Sequence, residues 1–437
     1  MLNKIPRPLW ILIGILVLIG LYNLPPIHSR LSWRVDNVKT KIKYYFNPPD
    51  EAIFQPSAPA PTSLVEIVPS PTIVPTQENN TPAPTLTPTI VPTALPEKVD
   101  LEGVVYVDQH NRWNYCGPAN LTMALNFWGW EGNRDDVAKV IKPGVAEIND
   151  FIQAGKPDKN VMPYEMVNFV NEQTQFQALS RLGGNIDLLK VLIAEGFPVI
   201  VEKGYYETDY TGKIAWLGHY QFATGYDDTE SAFIVQDTYN DGPDFYISYE
   251  HFTEGWRSFN YIFMVVYPPE REQEVQRLLG LWQDEVWARQ HALEIAENEE
   301  SQLKGNDRFF AVFNQGTSLV ALQRYGEAST AYDRAFAIYA ELGQDETQRP
   351  YRIMWYQTGP YFAYYHSGRY QDVINLANNT LNETISEPTL EESLFWRARA
   401  EYALGNYDAA FADMYEAVRL NPNFSPGTFY LELWNAE

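Results

Sequence analysis

Thirteen prolines fall within residues 48–98, among Thr, Ser, Ala and Val, in runs such as Pro69-Ser-Pro-Thr-Ile-Val-Pro-Thr and Pro84-Thr-Leu-Thr-Pro-Thr-Ile-Val-Pro-Thr. Proline lacks the backbone N–H and fixes φ, so such a segment can extend neither a helix nor a sheet and builds no core. It is expected to be a disordered, polyproline-like stalk, with a reach of at most ~150 Å at about 3.1 Å per residue. Whatever folds must fold on either side of it.

On the amino-terminal side, Leu9 to Leu24 is almost wholly apolar. This is short for a bilayer span of about 20 residues, and no small-x-small cleavage site follows at Pro25-Pro26-Ile27-His28. The segment 1–30 therefore reads as an uncleaved signal anchor, with Trp10 and Tyr22 at the interfaces. Residues 31–47 form a basic juxtamembrane segment, with Arg34, Lys39, Lys41 and Lys43 set among Trp33, Ile42 and Phe46. Counted alone, those charges favour a cytoplasmic body. Pro/Thr stalks are typical of proteins held off the outer face of a membrane, and this outweighs the count. A single-pass membrane protein with an extracytoplasmic body is expected.

The formal net charge of -24 sits mostly in two later blocks. Residues 99–268 carry 11 basic against 24 acidic side chains, and residues 269–437 carry 13 against 26. An excess of 13 acidic groups in each argues against a nucleic-acid partner. One cysteine in 437 residues excludes an intrachain disulfide and a cysteine-cluster metal site. No His/Asp/Glu group has ligand spacing, so neither metal nor cofactor is expected.

Within 99–268, Val104-Val105-Tyr106-Val107 reads as a short strand. Helical patterns follow at 118–129, 134–141, 147–154, 163–173 and 185–195, and strands at 198–203, 219–225, 232–237, 245–248 and 261–267. Helices followed by an antiparallel sheet make an α+β domain. The cysteine, Cys116, stands in Asn114-Tyr-Cys-Gly-Pro-Ala-Asn, where a helix should begin with Pro118 at a first helical position. Leu121, Leu125 and Trp128 share one face of that helix. A thiol there meets the positive end of the helix dipole and unpaired N–H groups, which favour the thiolate. A lone cysteine is also commonly a small buried apolar residue.

Thiol catalysis needs a base, a group to orient it, and a donor for the developing oxyanion. His219 begins one strand and Asp237 ends the next, so the carboxylate could fix the imidazole. Gln109 could add a side-chain N–H beside that of Cys116. Each has a plain alternative: a structural histidine, an aspartate opening the turn Asn240-Asp241-Gly242-Pro243, a surface glutamine. His110, His251, His291 and His366 lack a comparable setting. Tyr205, Tyr206, Tyr210 and Trp216, just before His219, form either an aromatic lid or a packed loop.

Together these stretches resemble the bacteriocin-processing, double-glycine-leader type of papain-like cysteine peptidase in free-standing form. The resemblance runs from Gln109 through Cys116-Gly-Pro-Ala, Asn185-Ile-Asp-Leu-Leu-Lys-Val-Leu-Ile-Ala-Glu-Gly-Phe-Pro-Val-Ile-Val, Gly218-His-Tyr-Gln-Phe-Ala-Thr-Gly-Tyr-Asp and Val235-Gln-Asp-Thr to Val265-Val-Tyr-Pro. It implies Cys116 as nucleophile, His219 as general base and acid, Asp237 as orienting residue and Gln109 as oxyanion donor. Two departures stand out. Gln109 lies seven residues before Cys116 where six is usual, and Thr238 stands where the family often has Pro. The best-known members cut double-glycine leaders while fused to an ABC transporter. No Walker A sequence is present, so that substrate does not carry over.

From 270 to 437 the pattern is helical. Gln323-Arg-Tyr-Gly-Glu-Ala, Ser367-Gly-Arg-Tyr-Gln-Asp-Val and Leu404-Gly-Asn-Tyr-Asp-Ala-Ala align at Tyr325, Tyr370 and Tyr407 and resemble tetratricopeptide repeats, with an insertion near Gln344 to Pro350. Such an all-α solenoid would bind peptide segments or partner proteins. The expected whole is a membrane-anchored cysteine peptidase acting on a peptide or protein substrate, its helical repeats recruiting substrate or partner. A thiol amidase or acyl transferase, and an inactive binding scaffold, are the competing readings.

Overall fold

The structure, a computed structural model, describes residues 53–57, 95–110, 112, 114–142, 158–208, 214–342, 349–382 and 388–436. The expected anchor, the basic juxtamembrane segment, most of the stalk and the helix near 147–154 lie outside these residues. Among the described residues no helix is long and apolar enough to cross a membrane.

The sheet-containing part runs β1 (Lys98–Asp100), α1 (Cys116–Phe127), α2 (Arg134–Ile141), β2 (Asp158–Lys159), α3 (Pro163–Gln173), β3 (Gln177–Arg181), α4 (Ile186–Ala194), β4 (Val199–Thr208), β5 (Ile214–Asp227), β6 (Ala232–Asp237), β7 (Gly242–Ser248), α5 (Tyr249–Arg257) and β8 (Phe263–Tyr267). One sheet has the order β3-β8-β4-β5-β6-β7, with β1 paired to the end of β5, and every pairing in it is antiparallel. Successive strand side chains point to opposite faces. Val199, Val201, Phe263 and Val265 therefore pack with Leu188 and Leu192 of α4 and with Phe252 and Trp256 of α5. Ile200, Met264 and Val266 pack on the other side with Leu121, Val137 and Met166 of α1, α2 and α3. The α+β expectation holds in its antiparallel sheet, but the helices cover both faces.

Several local expectations change. Val104–Val107 forms no strand; the Tyr106 hydroxyl instead donates to the Asp237 carbonyl at 2.9 Å. The strand β3 and the helix α5 were not anticipated, although Ser248 caps α5 and Phe252 and Trp256 lie four apart on its buried side. Helix α1 starts two residues earlier than expected, which makes Pro118 its third residue. That N–H would have had no intrahelical partner, so the proline still costs nothing there. Every residue from Cys116 to Leu125 is buried, so α1 is enclosed by neighbours rather than amphipathic.

The chain continues through α6 (Glu272–Leu279), α7 (Glu285–Gln302), α8 (Gly305–Ala321), α9 (Tyr325–Glu341), α10 (Gly359–His366), α11 (Tyr370–Asn382), the short β9 (Pro388–Thr389), α12 (Glu391–Ala403), α13 (Tyr407–Leu420) and α14 (Ser425–Ala436). Val275 and Leu279 of α6 join the core beneath α4, so the division expected between 268 and 270 falls before a helix that belongs with the sheet. Beyond it, Tyr325, Tyr370 and Tyr407 each open the second helix of a hairpin, in α8/α9, α10/α11 and α12/α13. Two residues before each tyrosine the backbone turns left-handed, at Gln323 (φ 59°), Gly368 (φ 73°) and Gly405 (φ 83°). The aligned sequence pattern is thus a pattern of helix-ending turns.

The two parts share a core. Trp216 of β5 stacks on Phe259 with ring centroids 5.5 Å apart, and meets Tyr356 of the helical part edge-on at 5.6 Å. A parallel pairing of β2 with β9 adds a second join. Beside it the buried Lys159 ammonium lies 2.6 Å from Glu165 and 3.2 Å from Glu391.

Candidate active site

Three elements bring four sequence-distant side chains to one end of the sheet. Cys116 is the first residue of α1, His219 lies in β5 and Asp237 ends β6. Gln109 precedes α1, and its backbone N–H donates to the Thr238 carbonyl at 3.0 Å just beyond β6. All four are buried. The Cys116 thiol lies beside His219 and the Tyr220 backbone N–H, both of which act on its charge. On the other side of the ring, His219 Nε2 lies 3.2 Å from Asp237 Oδ2 but off the line of a hydrogen bond, so charge rather than a directed bond holds that contact.

Asp237 does both things the sequence suggested. Its Oδ1 accepts the backbone N–H groups of Tyr239 and Asn240, each at 2.9 Å, and so shapes the turn. Its Oδ2 faces His219 and accepts from Gln221 Nε2 at 2.6 Å. One oxygen builds the local chain while the other serves the imidazole.

These contacts set the charges. Burial pushes the Asp237 carboxyl up, but the His219 charge, Gln221 and the turn N–H groups hold it well below the usual carboxylate range. Burial opposes the imidazolium, yet Asp237 and the thiol raise His219 to about 10. Burial likewise opposes the thiolate, and the His219 bond and charge outweigh it to bring Cys116 below its ordinary value. The favoured state is a thiolate beside an imidazolium.

The oxyanion side is less obvious from the sequence. Tyr115, at the start of α1, makes no side-chain cap bond, so the leading N–H groups of the helix lack that partner. Thr238 Oγ1 donates to Gln109 Oε1 at 2.7 Å, fixing which way the amide faces. A proline at 238 would have no hydroxyl to do this, so the departure from the family pattern supplies a hold on Gln109.

Sequence reasoning missed three further groups. Gln221 sits two residues after His219, on the same face of β5, a signal that strand periodicity carries. Asn120 lies one helical turn after Cys116; its Nδ2 donates to the Cys116 carbonyl at 2.8 Å and the Tyr220 carbonyl at 2.9 Å, tying α1 to β5 beside the histidine. Glu202 pairs across β4 and β5 with Tyr220, and burial, then the nearby thiol, push its carboxyl well above the usual range. Of the four aromatics read as either a lid or a packed loop, the three described ones separate. Tyr205 meets the His219 ring edge-on at 5.7 Å, Trp216 is in the shared core, and Tyr206 accepts from Asn306 at 2.9 Å. Tyr210 lies outside the described residues. His110, which lacked a comparable setting in the sequence, stacks on Tyr239 at 5.0 Å.

Residues 101–263 match the family model described as the Peptidase_C39 like family. Over this segment, an α+β stretch with an antiparallel sheet, the chain is similar to C39-like cysteine peptidases, and the match ends before α6. Two solved structures are similar in part. A chain described as a C39-like peptidase from Bacillus anthracis is 18% identical, with 39% of this chain and 96% of that one covered and a TM-score of 0.32. The peptidase domain of Streptococcus ComA, a bifunctional ABC transporter involved in a quorum-sensing pathway, is 15% identical, with 36% and 92% covered and a TM-score of 0.25. No curated protein matches the chain. Among the described residues no group of His, Cys, Asp and Glu could hold a metal ion.

Proposed function

We propose that the protein is a membrane-anchored cysteine peptidase that uses Cys116, His219, Asp237 and Gln109, with an extracytoplasmic body and helical, tetratricopeptide-like repeats that recruit a substrate or partner protein. The observation that carries the chemistry is the buried Cys116–His219–Asp237 chain, with a thiol drawn toward the thiolate and an imidazole held protonated.

The Cys116 thiolate attacks the scissile carbonyl carbon, forming a C–S bond and an oxyanion. The Cys116 N–H and the Gln109 amide N–H stabilise that oxyanion. His219 gives its proton to the amine nitrogen as the C–N bond breaks, leaving a thioester. Water then attacks, His219 takes one of its protons, and the C–S bond breaks to release a carboxylic acid, which gives its remaining proton to solvent, and to restore the ion pair. Throughout, Asp237 holds the imidazole orientation and its positive charge.

Labelling the full chain with iodoacetamide across pH tests this reading. Cys116 should alkylate well below the pH at which a free thiol does, and Cys116→Ala should abolish both labelling and peptide hydrolysis. Labelling that follows ordinary thiol titration, with activity retained in Cys116→Ala, would overturn it. Adding an amine acceptor to the same assay separates hydrolysis from acyl transfer, and protease accessibility of residues 58–94 in intact cells tests the orientation.

A further inference from the structure

Within the segment read as stalk, residues 53–57 are placed on the helical part, with Ser57 against Asp372, 315 positions away in sequence. Phe54 is buried. Its ring meets Phe336 of α9 edge-on with centroids 4.9 Å apart and Tyr364 of α10 at 5.9 Å. Three residues on, every polar group of Ser57 is read. Its N–H and its hydroxyl both donate to Asp372 Oδ1, at 2.9 and 2.8 Å. Its carbonyl accepts from Arg369 Nη2 at 3.1 Å. Gln55 between them is exposed and Pro56 half-buried, so neither carries much of the recognition.

The seat is held in shape by the helical part itself. Arg369 Nε donates to Asp372 Oδ2 and Nη1 to Asp333 Oδ2, both at 2.7 Å, while the guanidinium lies over the Tyr364 ring at 4.5 Å. The Tyr364 hydroxyl in turn donates to Asp333 Oδ1 at 3.0 Å. Asp372 is 2% exposed, and its Oδ1 is the oxygen turned to Ser57. A buried carboxylate with one oxygen aimed at a segment from elsewhere in the chain, beside an aromatic slot already occupied by that segment, is the anatomy of a ligand site.

We propose that the groove between α9, α10 and the start of α11 recognises an extended peptide carrying Phe followed three residues later by Ser, and that Phe54–Ser57 is its intramolecular ligand. A partner protein presenting the same pair binds there by displacing the strap. Tethering puts the strap at a high effective concentration, so such a partner must bind more tightly than an isolated peptide to succeed. The groove is then a guarded recruitment site. This rests on the helical part being a recruiting surface, as proposed above, and owes nothing to the Cys116 chemistry.

The test uses the full chain in a Cys116→Ala background, so that the probe is not cut. A fluorescein-labelled peptide of residues 50–59 is titrated by fluorescence polarisation. Phe54→Ala should empty the groove and bind the probe at least ~10-fold more tightly than the parent, as expected when a tethered competitor is removed. Adding Asp372→Asn, or using a probe with Phe54 replaced by Ala, should abolish the gain. Ser57→Pro removes the N–H and the hydroxyl at an exposed residue while leaving Phe54 in place, and should give a smaller gain in the same direction. Equal binding by the parent and both variants, or binding by none of them, would overturn the proposal while leaving the peptidase reading intact.

Discussion

Asp237 and Asp372 are both almost wholly buried, and each divides its two oxygens between two kinds of partner. Asp237 gives one oxygen to the turn that follows it and the other to an imidazole that can gain or lose a proton. Asp372 gives one to a permanently charged guanidinium and the other to a segment that arrives from within the proline-rich stretch. In the first, the chain fixes the carboxylate so that it can govern a titration. In the second, the carboxylate is itself the fixture. Similar burial therefore holds a titratable ring in one place and a chain segment in the other, and what separates them is whether the partner titrates.

The strongest way to break that contrast is Asp237→Asn. The amide keeps a turn acceptor but removes the charge that holds the imidazolium, so kcat/KM should fall by ~10³–10⁴, as for loss of an orienting carboxylate elsewhere. The pH profile should change with it. His219 is raised to about 10, so the imidazolium's stabilisation is complete below its ordinary value and is lost as pH rises through about 10. The Asp237 carboxyl is lowered, so its contribution is present above the ordinary carboxyl range and is lost as pH falls. The parent enzyme should hold its basic limb near pH 10, and Asp237→Asn should move that limb down by more than one unit. An unmoved basic limb would mean that Asp237 is only a turn former.

A smaller effect should come from Thr238→Val. It frees Gln109 Oε1 and leaves the triad untouched, so kcat should fall ~10-fold, the scale of one hydrogen bond in a transition state, with KM little changed. Last in size for activity is Asp372→Asn. Hydrolysis of a short unanchored peptide should stay within about twofold of the parent. Unfolding should become easier by about 1–3 kcal/mol, because hydrogen bonds to a buried charge are lost. Urea denaturation followed by tyrosine and tryptophan fluorescence measures that difference. A large loss of activity in Asp372→Asn would erase the contrast between the two aspartates.

How far the sequence revealed this depended on how rare each signal was. That Cys116, His219 and Asp237 would come together was legible because the chain has one cysteine and few histidines, and because His219 and Asp237 lie on consecutive strands, although β5 begins at Ile214 rather than at His219. Gln221, Asn120 and Thr238 were not, since amides and hydroxyls are common and only the register of β5 with β6 and the turn of α1 bring them to the triad. Helix α5 carried readable marks in Ser248, Phe252 and Trp256, yet its first residues continue the strand-like composition of β7. Phe54 was hidden for a different reason. Local composition around it predicts only a stalk, and it cannot report a binding slot made by residues 336, 364 and 372. The three helical hairpins were legible because a left-handed turn before each tyrosine leaves a short pattern of Gly or a polar residue, although Gln323 breaks the glycine rule.

The glycine before the histidine has a wider consequence. A Cβ at Gly218 would lie 2.7 Å from the Tyr356 ring and 2.8 Å from Phe259, so the strand that carries the base is pressed against the helical part with no room for even a methyl group. The strand of His219 and the helical hairpins are thus in direct contact at Gly218. Heating or denaturant should extinguish hydrolysis and hairpin structure in a single transition, and a fragment ending near residue 268 would lose the wall against which the strand of His219 is aligned.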